Sequence, residues 1–125
     1  MSADNTRSSK PYAIRERLFL FAAAVTTAAE KIHARGAMGR ELSPQLASAA
    51  TSAAANAEEA DDASSRKDFL AKEKICLREL KESRLRLRVL NAAGFLTGDE
   101  CRLIGESEEL VKIIASIIKN ASRNP

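Results

Sequence analysis

The sequence has no tryptophan, one tyrosine and four phenylalanines in 125 residues. A surface that holds nucleic-acid bases by stacking needs aromatic platforms, and this chain has few. Its five glycines and three prolines are too few for a sandwich with many tight turns. Its two cysteines, Cys76 and Cys101, form neither a disulfide framework nor a metal-ligand spacing. Each reads as a small apolar residue. The single histidine, His33, excludes a carboxylate bundle site built from two Glu-x-x-His pairs, although Glu30 and His33 match that spacing once. Phosphate loops and dinucleotide fingerprints are missing, as is any strand pattern to carry them. The opening "MSADNTRSSK" lacks the apolar stretch of a signal peptide, and no run reaches membrane-spanning length. These absences lead to the expectation of a cytoplasmic protein with reduced thiols, no membrane partner and no cofactor.

The residues that are present point to helices. Hydrophobic residues make up 45% of the chain and charged residues 30%, which argues against global disorder. Alanine, the best helix former, is abundant. The length suits one domain. A flexible tail is expected over residues 1–11, followed by a four-helix bundle over 12–122.

The first helix is expected from about Tyr12 to Ala34, with Ile14, Leu18, Phe21, Val25, Ala28 and Ile32 on one face. Gly36 and Gly39 then form a short connection. The second helix is expected to start at "LSPQL", with Ser43 as its cap and Pro44 at its first position. Leu42, Leu46, Ala49, Ala53, Asn56 and Ala60 make a nearly flat face that invites close helix approach. Asn56 is the polar residue on that face and is read as fixing helix register.

Glu58, Glu59, Asp61 and Asp62 end this helix. Acids there oppose the helix dipole, so Glu58 or Glu59 is expected to meet a basic partner rather than a metal.

The third helix is expected after Ser65, which pairs with Asp68 as in a capping box. It carries two apolar stripes: Phe69, Cys76, Leu80, Leu87 and Leu90 on one side, Ala71, Ile75, Leu85 and Val89 on the other. Gly94 is placed to end it with a left-handed cap, Phe95 folding back. Thr97 and Glu100 cap a fourth helix with stripe Leu103, Ser107, Leu110, Ile114, Ile117 and Ala121. Short loops between four such helices predict an antiparallel up-down-up-down bundle. The surplus apolar surface of the last two helices predicts self-association.

Charge is unevenly distributed. Residues 66–88 hold nine basic and four acidic side chains, a net +5 in a chain of net +3. At 100° per residue, Lys74, Lys81, Arg84 and Arg88 fall within one broad face, while Arg78 and Arg86 project elsewhere. Glu73, Glu79 and Glu82 interleave and can pair with neighbours. An ion-paired, solvated face is one reading of this pattern. The other is a backbone-binding surface for nucleic acid, multiplied by oligomer symmetry.

Several segments carry a resemblance: "YAIRERLFLFA", "TSAAANAEEADDASSRKDFL" and "LRELKESRLRLRVLNAAGFL". Their order and spacing resemble the four-helix bundle proteins encoded in intervening sequences of bacterial 23S ribosomal RNA genes. The most specific pieces are Ala55-Asn56 with Glu59-Ala60, then Ser65 with Lys67-Asp68-Phe69, then Glu82-Ser83. The resemblance covers about Tyr12 to Ser122. It implies a ring-like homopentamer and a distant similarity to the accessory protein of diversity-generating retroelements, which binds a reverse transcriptase and nucleic acid. The chain departs from the pattern at Leu85 and Arg86, where similar proteins carry an aromatic pair, and at Ala54, where glycine is usual.

The expected function is therefore that of a non-enzymatic scaffold binding RNA or DNA, RNA first. Arg84 and Arg88 would be the leading contacts, followed by Lys74, Lys81, Arg78 and Arg86. The alternative is a protein-interaction module that docks a partner such as a reverse transcriptase without touching nucleic acid.

Overall fold

The structure is a computed structural model that describes residues 11–123. The tail expected over 1–11 lies outside the described residues except for its last position, which opens a helix. Four α-helices follow one another: α1 Pro11–His33, α2 Ala37–Asp61, α3 Arg66–Ala92 and α4 Gly98–Arg123. The described residues contain no strand. Each helix packs on its sequence neighbours, and α4 returns to touch α1 more lightly, closing a four-helix bundle. None of these helices is long and apolar enough to cross a membrane.

The α1 stripe is buried throughout, from Ile14 to Ile32. Leu46, Ala49, Ala50, Ala53, Ala57 and Ala60 bury the flat face of α2. Cys76, Leu80, Leu87 and Leu90 from α3 and Leu110, Val111 and Ile114 from α4 complete the core. Burial of this apolar area is the main force holding the bundle together.

Helix ends follow local chemistry. The Ser65 hydroxyl accepts from the Asp68 backbone N–H at 3.0 Å, supplying one orphan donor of α3 with an acceptor. At the other end Gly94 has φ +86°. The Phe95 N–H donates to the Leu90 carbonyl at 2.8 Å and the Gly94 N–H to the Asn91 carbonyl at 3.1 Å, the paired bonds of a Schellman cap. Phe95 folds onto the core edge. The Glu100 carboxylate accepts from the Thr97 N–H at 2.9 Å, the return half of a capping box.

The start of α2 corrects the expectation. The helix begins at Ala37, and Pro44 lies inside it, not at its first position. Ser43 is a buried helical residue rather than a cap, and Gly39 is helical and buried rather than part of a connection. Gly36, with φ +115°, makes the turn. A Cβ on Gly39 would collide with the Ile32 carbonyl. The glycine lets the first turn of α2 pass against the last turn of α1. That tertiary contact outweighs the local signal of a Ser-Pro start.

Candidate interaction surface on the third helix

The wide apolar coverage of α3 resolves into a core stripe and an exposed remainder. Leu85 is 57% exposed and Val89 50%. With Leu42 of α2 and the edge of Leu90 they line an open groove of about 500 Å³. Arg78, Lys81, Glu82 and Arg86 complete its wall. The result is an apolar trough with a mainly cationic rim.

The six expected basic residues divide between the groove and the surface outside it. Arg78, Lys81 and Arg86 belong to the groove. Arg84 and Arg88 do not line it: Arg84 is turned about 100° from Leu85 towards the other flank of α3, and Arg88 lies just outside the Lys81 edge. Lys74 lies two turns before Lys81 on the exposed side. Arg86 is held by Glu82 one turn back, Nε to Oε2 at 3.0 Å. Arg78 makes a looser pair with adjacent Glu79 at 3.5 Å. Lys74, Lys81, Arg84 and Arg88 make no ion pair among the described residues.

The acidic end of α2 is occupied by cross-helix pairs. Glu59 meets Lys72 of α3 at 3.0 Å. Glu58 and Asp61 meet Arg15 of α1 at 3.3 and 3.4 Å. No group of three or more His, Cys, Asp or Glu side chains among the described residues is gathered as a metal site would need. Asn56 is half-buried, and its amide donates to the Ser52 carbonyl of its own helix at 2.9 Å. No hydrogen bond joins it to another helix among the described residues. Its amide nitrogen is thus engaged within its own helix.

Cys76 is fully buried, and burial together with nearby Glu73 pushes its thiol well above the usual range. That favours a packed neutral thiol over a nucleophile. Glu73 is 5% exposed, and its Oε1 has no hydrogen-bond partner. It borders a small pocket of about 30 Å³ shared with Ile14, Arg15, Asp61, Phe69 and Ile117. Burial, then repulsion from Asp61, raises its carboxyl to about 7. Sequence spacing could not single out Glu73, since it is one of three glutamates interleaved with the basic residues of the same helix.

A second exposed apolar patch also escaped the sequence reading. Phe19 is 59% exposed and Leu20 57%, both on α1. The signal was present in "RLFLFA": four successive large apolar residues cannot all face one side at 100° per residue.

No protein-family model matches the sequence, and no curated protein matches it. Among solved structures the chain is similar to a protein of unknown function from the S23 ribosomal protein family of Bacteroides thetaiotaomicron. The two share 27% identity over 88% of this chain and 98% of that one, with a TM-score of 0.80. The four-helix fold, over nearly the whole neighbour, is therefore shared with a member of the S23 ribosomal protein family.

Proposed function

We propose that this chain is a non-enzymatic cytoplasmic scaffold of the kind encoded in 23S ribosomal RNA intervening sequences, distantly related to the retroelement accessory protein. In this reading it is an antiparallel up-down-up-down bundle that assembles as a ring-like homopentamer and binds nucleic acid, RNA first, through α3. The antiparallel arrangement is supported by the pairing of Arg15, near the start of α1, with Glu58 and Asp61 at the end of α2. Connections of only a few residues support it further.

The observation that carries RNA binding is the set of four unpaired cations, Lys74, Lys81, Arg84 and Arg88, on one helix. Glu79 and Glu82, the acids that could neutralise them, are already engaged by Arg78 and Arg86. Cations free of intramolecular partners release counterions when they meet phosphates, and that release drives backbone binding. The neighbour's family name, that of a ribosomal protein family, agrees with an RNA partner. The test is the charge reversal Arg84→Glu/Arg88→Glu. The variant should keep its helical circular dichroism and lose retention on an RNA column at low salt; unchanged retention sinks the reading.

A second reading is favoured by the groove at Leu85 and Val89. Its apolar floor suits a protein surface, and phosphates gain nothing from it. Here the scaffold docks a protein such as a reverse transcriptase, without nucleic-acid contact. Capture of that partner that survives nuclease and moderate salt supports this reading over the first.

A further inference from the structure

The molecule carries two large unpartnered apolar patches of opposite electrostatic setting, on helices that are not sequence neighbours. On α1 the outward face reads Glu16, Phe19, Leu20, Ala23, Thr27 and Glu30, all exposed. At 100° per residue these six positions fall within one face about 100° wide. Glu16 and Glu30 make no ion pair among the described residues. This face is apolar at its centre with Glu16 and Glu30 towards its two ends, and Lys31 lies just off its edge.

On α3 the groove presents Leu85 and Val89 beside Lys81 and Arg78. It is apolar with a cationic rim. Both patches place a charge one helical turn before an apolar residue: Glu16 before Leu20, and Lys81 before Leu85. The signs are opposite, so the two surfaces complement each other in polarity and in charge.

We propose that the α1 face of one copy docks in the α3 groove of a second copy of this chain. The inference rests on the self-association in the reading above, and it adds which surfaces make the contact. Phe19 and Leu20 fill the trough over Leu42, Leu85 and Val89. Glu16 and Glu30 face the cations of the partner copy's α3. Because the two surfaces differ and sit on helices that do not pack side by side, the contact is heterologous, and a growing chain of copies keeps one free α1 face and one free α3 groove until a ring closes. An isologous pairing of like patches would set acid against acid on α1, or base against base on α3, which costs free energy. The division of α3 also becomes intelligible. The groove serves assembly, while Arg84 and Arg88, outside its lining, stay open to solvent or to phosphate.

Sedimentation velocity of the full chain and two double variants tests the contact. The unmodified chain should run as a multimer. Phe19→Glu/Leu20→Glu and Leu85→Glu/Val89→Glu should each run as monomers with unchanged helical circular dichroism. Mixed in equal amounts at high concentration, the two variants should form a 1:1 heterodimer that grows no further, since each supplies the surface that the other lacks. Should a glutamate variant lose its helicity, the charge variant decides: Glu16→Lys/Glu30→Lys should weaken assembly, and adding Arg78→Glu/Lys81→Glu should restore it. An unmodified chain that stays monomeric overturns both this contact and the self-assembling scaffold. A multimer that survives both double variants, or variants that do not combine, overturns this contact alone.

Discussion

Arg17 on α1 grips Glu106 on α4 with two parallel bonds, Nε to Oε2 at 2.8 Å and Nη2 to Oε1 at 2.9 Å. These two helices share the lightest of the packed interfaces, so the pair acts where the bundle closes. The hydrogen bond to Glu106 raises the Arg17 pKa. Both side chains are about one-third exposed, so solvent screens part of the attraction. Arg17→Met is expected to cost about 1 kcal/mol, within the range for a well-aligned, partly screened pair. A urea melt should show the loss, and the difference from the unmodified chain should shrink as salt rises.

Glu73 sets a pH dependence. Its folded carboxyl titrates at about 7 against an ordinary 4.5. The charged form is the one that burial and Asp61 disfavour, so its stabilising contribution is fully present below pH 4.5. That contribution is lost as pH rises through about 7. Arg15 and Asp61 border the same pocket, and Cys76 lies one turn on, so the group titrates in company. Glu73→Gln should leave stability near pH 4.5 little changed and raise it above pH 7 by on the order of 2–3 kcal/mol. Urea melts at pH 5 and pH 8 would measure the difference. Equal effects at both pH values would count against a buried titrating carboxyl.

Gly39 is needed for its missing side chain. Gly39→Ala would drive a methyl group into the Ile32 carbonyl. The main chain cannot step aside as a side-chain tip can, so a loss of about 1–3 kcal/mol is expected despite the better helix propensity of alanine. By contrast, Gly105→Ala meets open space on a helix and should be neutral or slightly stabilising. Thermal melts of the two variants, compared directly, check the contrast.

Ala53 is fully buried on the flat face of α2. Ala53→Leu should force apart helices that approach closely because that face is flat, at a cost of about 1–3 kcal/mol. Ala55→Leu, two residues on at an exposed position on the opposite side of the helix, should cost little. Denaturant midpoints of the pair would separate packing from propensity.

RNA binding through Lys74, Arg84 and Arg88, the cations outside the groove, should weaken steadily with salt. Removing one of these cations should lower the slope of log affinity against log salt by roughly 0.7 for a single-stranded ligand. Filter binding at several salt concentrations gives that slope. A slope unchanged by Arg84→Ala would place that arginine outside the contact.

The sequence by itself determined the four helices, their core faces and most of their ends. Those features depend on information local to a few turns: the spacing of Ile14 through Ile32, the Ser65 cap, and the glycine that lets Phe95 fold back on Leu90. The Ser43-Pro44 signal does not mark the start of α2, because the competing term is not local. The approach of Ile32 explains why position 39 is glycine, and the left-handed turn at Gly36 precedes the helix start at Ala37. Exposure was likewise beyond periodicity. A stripe rule tells which residues can share a face, but not how many faces the neighbouring helices will cover. Tertiary packing left Phe19, Leu20, Leu85 and Val89 in solvent and put Arg78, Lys81 and Arg86 in a groove while leaving Arg84 and Arg88 outside it. It also buried Glu73, because burial depends on the surfaces of all four helices at once.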